Sequence, residues 1–177
     1  MGEAILVLGG TRSGKSRLAE SLAGARPPVM YVATATVDPD DAEWAARVAR
    51  HRAGRPAGWT TLEAPRDVSG LLPGVVARDG AVVIDCVTLW ISNLMLGRGG
   101  GPALDDAAIL DQVEQATHRA RGAARVLWVS NEVGCGIIPE HPLARRFADL
   151  QGLANQRLAA ACDAVHLCVA GLAIRLK

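Results

Sequence analysis

Five short apolar runs alternate with longer amphipathic segments along the chain. The runs cover residues 4–8, 29–33, 81–85, 126–130 and 164–169. Near-continuous runs rich in Val, Ile and Leu are typical of strands that are buried on both faces of a sheet. Helical periodicity between the runs predicts helices over residues 16–25, 41–53, 67–76, 88–96, 105–121 and 142–161. This alternation predicts an α/β fold with a mostly parallel central sheet flanked by helices.

Length and composition favour one domain over residues 1–177. Half of the 177 residues are apolar and 21% are charged, which suffices for a full hydrophobic core. The net charge of +1 gives no reason to expect a nucleic-acid partner. No apolar run approaches the roughly 18 residues of a membrane span, and the first run leads directly into a glycine-rich loop. We therefore expect no nucleic-acid partner, no membrane span and a cytoplasmic location.

That glycine-rich loop fits the phosphate-binding pattern G-x-x-x-x-G-K-[ST]. Its residues are Gly9, Gly10, Thr11, Arg12, Ser13, Gly14, Lys15 and Ser16. A predicted strand precedes the loop and a predicted helix follows it, which is the context that the motif requires. Backbone N–H groups and the helix N-terminus would hold the phosphates, Lys15 would reach the β- and γ-phosphates, and Ser16 would bind Mg²⁺. The pattern predicts a P-loop, RecA-like nucleotide-binding domain.

Three other segments fall after predicted strands, where ligands of parallel sheets bind. Asp85 ends an apolar run, so it fits a Walker-B carboxylate for Mg²⁺, although a helix cap would have the same pattern. Residues 33–36 and 131–134 lie at the same predicted edge. Their Thr and Asn side chains are equally compatible with ligand contacts and with local turn hydrogen bonds.

A histidine among arginines ends the second predicted helix. At helical spacing Arg47, His51 and Arg55 share one face, and Gly54 ends the helix. One interpretation is a cationic terminus that stabilises the helix dipole. The other is an anion site in which arginines bind a triphosphate while neutral imidazole attacks phosphorus. The pattern alone leaves both open.

Several segments together resemble the bifunctional adenosylcobinamide kinase/adenosylcobinamide-phosphate guanylyltransferases of cobalamin biosynthesis. The resemblance covers nearly the whole chain and rests on segments 9–16, 31–34, 47–56 with Trp59, 131–134 and 155–159. It implies transfer of a γ-phosphoryl group from ATP or GTP to adenosylcobinamide, followed by transfer of GMP from GTP onto that phosphate. The second reaction would pass through a guanylylated His51. Lys15, the other catalytic residue, would neutralise charge in the phosphoryl transfer.

The resemblance also implies the site and the assembly. It gives a homotrimer as the assembly, while the phosphate-loop and Walker-B patterns give Mg²⁺ as the cofactor, with Ser16 and Asp85 as its ligands. Besides residues 9–16, the implied nucleotide contacts are Ala33, Thr34, Ala35, Arg52, Ala53, Gly54, Arg55, Glu63 and Asp85.

Two departures and two alternatives accompany the resemblance. Relatives can carry Glu at the position of Asp85, and some have a second histidine where this chain has Arg50. The departures leave open whether Asp85 meets Mg²⁺ directly or through water. A monofunctional P-loop small-molecule kinase would use His51 only as part of an anion site. A RecA-like nucleotide switch would perform no small-molecule chemistry.

Overall fold

The structure is a computed structural model, and it describes residues 2–24, 28–37, 40–75, 80–121 and 124–177. Within these ranges seven strands form one sheet. They are β1 (Glu3–Gly9), β2 (Val29–Ala33), β3 (Thr60–Glu63), β4 (Ala81–Asp85), β5 (Arg125–Asn131), β6 (Ala164–Val169) and β7 (Leu172–Arg175). The five predicted strands are confirmed, and β3 and β7 are two additional strands that the apolar runs did not indicate.

Helices connect the strands at the predicted positions. They are α1 (Lys15–Ala23), α2 (Ala42–Ala53), α3 (Val68–Val75), α4 (Val87–Leu96), α5 (Asp106–Ala120) and α6 (Pro142–Ala161). The side chains of Asp41 and Asp105 accept hydrogen bonds from the first turns of α2 and α5, which fixes where these helices begin. The predicted ends at residues 25 and 76 lie outside the described residues. No helix in the described ranges combines the length and apolar character needed to cross a membrane.

The strand order is β3-β2-β4-β5-β1-β6-β7. Every neighbouring pair is parallel except β6 and β7, which form an antiparallel hairpin at one edge. The predicted α/β class with a mostly parallel sheet is therefore confirmed. Because parallel strands share a carboxyl-terminal edge, the loops after β1, β2, β4 and β5 meet on one side of the molecule.

The sheet carries a hydrophobic core on each face. Along β1 the side chains alternate, so that Leu6 and Leu8 pack in one cluster while Ile5 and Val7 pack in the other. The first cluster includes the fully buried Trp90 and Trp128, and α4, α5 and α6 contribute to it. This two-sided burial explains why the central strands are near-continuous apolar runs.

The Arg66 side chain bridges the segment 97–102 to the end of α4. The Arg66 guanidinium donates to the carbonyl oxygens of Asn93 at 2.9 Å, Arg98 at 3.0 Å and Pro102 at 2.7 Å. Gly97 adopts the left-handed conformation that ends α4, with φ of 67°. The structure therefore shows a loop that one side chain closes.

Candidate functional site

The phosphate loop connects β1 to α1, and two of its glycines have steric reasons to be glycine. A Cβ on Gly9 would lie 2.6 Å from the Cys168 carbonyl oxygen and would also collide with the Ser13 hydroxyl. Gly14 has φ of +96°, and a Cβ there would lie 3.1 Å from Cα of Gly171. Close packing against β6 and the β6–β7 turn therefore requires glycine at both positions.

The loop presents polar groups that are suited to binding an anion. The Lys15 ammonium donates to the Gly10 carbonyl oxygen at 3.1 Å, which holds its stem across the loop. The buried Ser13 hydroxyl has no hydrogen-bond partner within the described part of the chain. Helix α1 begins at Lys15 without a side-chain cap. Free N–H groups at a helix N-terminus, beside a lysine, form an anion site.

A cavity of about 730 Å³ opens next to this loop. Its size falls within the range typical of ligand pockets. Thirteen of the predicted site residues line it: Thr11, Arg12, Ser13, Gly14, Lys15, Ser16, Ala33, Ala35, His51, Arg52, Arg55, Glu63 and Asp85. Residues from the P-loop, from the ends of β2, β3 and β4, and from α2 therefore meet in one space.

Five other predicted contacts do not line this cavity. Gly9 is buried at the end of β1, Gly10 is exposed, and Ala53 and Gly54 are exposed at the C-terminal end of α2. The Thr34 side chain is fully buried, where its hydroxyl donates to the Cys86 carbonyl at 2.7 Å and accepts from the Cys86 N–H at 2.8 Å. These bonds join Thr34 to the residue that precedes α4, 52 positions further along the chain, so they are not the local turn hydrogen bonds of the alternative interpretation. Nucleotide contact at these five positions stays a prediction.

Tyr31 links two of the predicted site residues. Its hydroxyl donates to the Asp85 carboxylate at 2.6 Å, and the Arg55 guanidinium lies over its ring, 3.9 Å from the centroid. Arg55 also donates to the Thr61 hydroxyl at 3.0 Å, while its buried Nε has no acceptor among the described residues. The carboxylate and the cation are thus both held by one buried tyrosine.

The electrostatic effects around Asp85 extend to its neighbours. Burial, and then the Asp85 charge, raises the pKa of Tyr31, so the hydroxyl remains a hydrogen-bond donor. The same two causes raise the pKa of the Cys86 thiol to about 12, so Cys86 is no nucleophile at neutral pH. On α1, burial and Asp85 raise the pKa of Glu20, and Arg55 opposes that shift.

Helix α2 forms one wall of the cavity with Trp44, Arg47, Val48, His51 and Arg52. Arg47 and His51 lie on the same face of α2, whereas Arg55 follows the C-terminal end of the helix, and all three line the cavity. No residue of α2 is buried. The helix therefore forms part of the cavity wall and contributes no buried residue to the hydrophobic core.

Arg52 and Glu63, both predicted to contact nucleotide, form an ion pair with each other. Their side chains are 48% and 57% exposed, so the pair contributes little to folding stability. Glu63 ends β3 opposite Ala33 of β2, which places it at the ligand edge of the sheet. An approaching phosphate would compete with Glu63 for the Arg52 guanidinium.

A buried amide network supports Asn131, another residue of the cavity wall. Asn155 accepts from the Ser130 hydroxyl at 2.7 Å and from Gln151 at 3.0 Å, and it donates to the Asn131 carbonyl at 3.1 Å. The Asn131 N–H donates to the Thr88 hydroxyl at 2.8 Å. The segments 131–134 and 155–159, distant in sequence, therefore meet in this network.

The residues present fit Mg²⁺ as a partner of bound nucleotide. Ser16 and Asp85 line the cavity and offer hydroxyl and carboxylate oxygens, which this ion prefers. Tyr31 engages only one carboxylate oxygen of Asp85. Among the described residues no group of three or more His, Cys, Asp or Glu side chains comes together to hold a metal. Phosphate oxygens and water would complete the coordination.

Sequence reasoning missed several cavity residues. Tyr31 lies inside an apolar run, so it was indistinguishable from a core residue, and Trp44 belongs to a helix whose orientation the sequence does not give. Ala170 and Gly171 line the cavity from the β6–β7 turn. That turn could not be located without predicting β7.

Fold and cavity together define a P-loop nucleotide-binding protein. An ATPase from the type III secretion system of pathogenic bacteria is similar in structure, with a TM-score of 0.52 and 11% identity. The match covers 94% of this chain and 51% of that chain. At this identity the likeness shows the α/β fold alone.

The sequence comparisons identify the family. The family described as cobinamide kinase/cobinamide phosphate guanyltransferase matches residues 5–176. The bifunctional adenosylcobalamin biosynthesis protein CobU of Salmonella typhimurium is 44% identical over 98% of this chain and 99% of its own length. The protein CobP of Pseudomonas aeruginosa, described in the same words, is 42% identical over 97% of this chain and 96% of its own length.

The chain therefore belongs to the cobinamide kinase/cobinamide phosphate guanyltransferase family, as the sequence motifs indicated. The two alternatives, a monofunctional kinase and a nucleotide switch, are not favoured by these matches.

Proposed function

We propose that the chain catalyses two successive reactions on one corrinoid substrate. The first transfers the γ-phosphoryl group of ATP or GTP to the hydroxyl of adenosylcobinamide. The second transfers GMP from GTP to the new phosphate and gives adenosylcobinamide-GDP and pyrophosphate. One observation carries the proposal: the P-loop and His51 line the same cavity, together with Arg47, Arg52 and Arg55.

The first reaction requires mainly positioning and charge neutralisation. The loop amides and Lys15 would hold the β- and γ-phosphates. The acceptor hydroxyl oxygen attacks the γ-phosphorus, the bond to the leaving nucleoside diphosphate breaks, and the hydroxyl proton is lost. Mg²⁺ held by Ser16 and Asp85 would neutralise charge on the phosphates.

The second reaction uses His51 as a nucleophile. An imidazole nitrogen attacks the α-phosphorus of GTP, a P–N bond forms, and the bond to pyrophosphate breaks. A phosphate oxygen of the corrinoid product then attacks the same phosphorus, breaks the P–N bond and regenerates histidine. Division of the transfer into two displacements is the advantage of covalent catalysis.

The arginines of α2 and its C-terminal end would bind the departing pyrophosphate. Arg55 is the best positioned of them, because the Tyr31 ring and Thr61 hold its guanidinium while Nε lacks an acceptor within the described residues. Preorganised cations in a partly buried site stabilise developing phosphate charge more than mobile surface cations do.

Three further parts of the proposal concern the whole chain. We infer that residues 1–177 form a single catalytic domain and that three copies assemble into a homotrimer. A cytoplasmic location stays a prediction.

The covalent histidine is tested by incubating the protein with α-³²P-GTP and Mg²⁺, followed by denaturing electrophoresis. We expect acid-labile, alkali-stable label on the wild type and none on His51→Ala. His118→Ala is the matched control, because His118 lies exposed on α5 and outside the cavity, and it should label like the wild type. Label that persists on His51→Ala would contradict the assignment of the nucleophile.

A further inference from the structure

Helix α2 presents a face whose chemistry changes along its length. Trp44, Arg47, Val48 and His51 follow the i, i+3, i+4, i+7 spacing of one helix face, and all four line the cavity. Arg52 and Arg55 continue the wall at the C-terminal end. The wall therefore passes from an aromatic and aliphatic end to a cationic end, in the order of base and phosphates in a nucleotide.

The Trp44 indole is held in place, although it is no core residue. Its Nε1–H donates to the Thr36 carbonyl at 2.7 Å, and its backbone N–H donates to the Asp41 carboxylate at 2.9 Å. The side chain is half-buried on a helix that buries no residue. The ring is thus oriented by polar contacts rather than by the packing of a core.

We propose that Trp44, with Val48, is the platform on which the base of the guanylyl group stacks while its phosphorus is at His51. This inference rests on the proposed function. Seven residues of helix separate Trp44 from His51, or about 10.5 Å along the axis. That separation suits a nucleoside monophosphate whose phosphorus lies at the imidazole, since ribose and base extend away from it.

Two neighbours support this assignment. The Arg47 guanidinium lies over one face of the Trp44 ring, 5.6 Å from its centre, so a base would stack on the other face. Ala35 also lines the cavity and directly precedes Thr36, which anchors the indole. A side chain as small as alanine leaves room beside the ring for a base.

Stacking on an indole does not distinguish one base from another, because every base has a π-face. The platform therefore supplies affinity and orientation, and it should act equally on GTP and ATP. It should have no effect on a ligand that has phosphates but no base. Inorganic tripolyphosphate is such a ligand, and it separates stacking from the phosphate contacts of Arg47 and the P-loop.

The test compares dissociation constants for GTP, ATP and tripolyphosphate by titration calorimetry. We expect Trp44→Ala to raise the dissociation constants of both nucleotides by roughly tenfold or more and to leave that of tripolyphosphate unchanged. Trp44→Phe should restore most of the lost affinity. Glu43→Gln is the matched control, because Glu43 is adjacent on α2 but outside the cavity lining. Trp44→Leu keeps apolar bulk but has no aromatic ring, and it replaces the alanine variant if that variant fails to fold.

Two results would overturn the platform. Unchanged nucleotide affinity in a folded Trp44→Ala protein would show that no base stacks there. An equal loss of affinity for tripolyphosphate would show that Trp44 acts only by holding Arg47 or α2 in position. A wild-type protein that binds GTP yet forms no covalent GMP adduct would contradict the proposed guanylyl transfer instead, while the binding comparison would still decide the role of Trp44.

Discussion

Tyr31 shows how one side chain can serve two neighbouring functional groups. Its hydroxyl binds the Asp85 carboxylate and its ring carries the Arg55 guanidinium. A hydrogen bond to a charged group is stronger than one between neutral groups, and a cation held over an aromatic face loses part of its mobility. The Asp85 carboxylate and the Arg55 guanidinium are therefore oriented by different parts of the same residue.

Substitution of Tyr31 should separate these two effects. Tyr31→Phe removes the hydrogen bond that fixes the Asp85 carboxylate but keeps the ring under Arg55. We expect the Mg²⁺ concentration for half-maximal activity to rise about tenfold, while the dissociation constant of GTP without Mg²⁺ stays unchanged. Measurement of both quantities checks the prediction.

Tyr31→Leu provides the comparison, because it removes the ring as well as the hydroxyl. It should weaken metal-free GTP binding by about threefold or more. An unaltered Mg²⁺ dependence in a folded Tyr31→Phe protein would mean that the hydroxyl does not position Asp85. Thermal unfolding of each variant shows whether the fold is retained.

At the scale of elements, the central strands and all six helices in the described ranges were predictable from apolar periodicity. Strands β3 and β7 were not, because they are edge strands. All four residues of β7 are exposed, and only Leu62 of β3 is partly buried. An edge strand has one neighbouring strand and need not bury both faces, so its sequence lacks the continuous apolar run.

Part of the candidate site could also be predicted from the sequence. Motif and helical spacing predict the P-loop, Asp85 and the grouping of Arg47, His51 and Arg55. Sequence alone did not show which groups meet across the cavity, because those contacts depend on strand order. Tyr31 meets Asp85 only because β2 and β4 are neighbours in the sheet.

The loop after α4 is an element that one side chain bridges. Arg66 donates to three backbone carbonyls of residues 93–102. Arg66→Ala removes these three hydrogen bonds, although the Asn93 carbonyl still accepts from the Arg98 N–H, and we expect it to lower the free energy of unfolding by about 2 kcal/mol. Cleavage by trypsin after the exposed Arg98 should become faster. Urea unfolding and limited proteolysis measure these two effects.

Arg66→Lys is the control for charge. A single ammonium cannot reproduce the planar fork of donors, so this variant should be cleaved nearly as fast as the alanine variant. Wild-type resistance to trypsin in both variants would mean that the loop is held by other contacts.

At the scale of the whole molecule, the β6–β7 hairpin joins an apolar sheet edge to the phosphate loop. Leu172 is 74% exposed and Ile174 is 55% exposed, and alternation along the strand places them on the same face. The Gly171 N–H of the same hairpin donates to the Ser13 carbonyl at 2.9 Å. An exposed apolar edge strand is a surface that proteins normally cover. We infer that another copy of this chain covers it in the proposed homotrimer.

Sedimentation equilibrium tests this arrangement. We expect the wild type to sediment at about three times the protomer mass of 18.5 kDa and the double variant Leu172→Asp/Ile174→Asp to sediment as a protomer, because buried unpaired carboxylates oppose association. Ile137→Asp/Ile138→Asp places the same two charges on loop residues that are 98% and 78% exposed and should leave the assembly intact. A wild type that sediments as a protomer at micromolar concentration would contradict the trimer. A trimeric double variant would instead place the interface away from β7.

Because Gly171 contacts the phosphate loop, loss of the interface should also weaken nucleotide binding. Assembly and activity should therefore fall together as the protein is diluted.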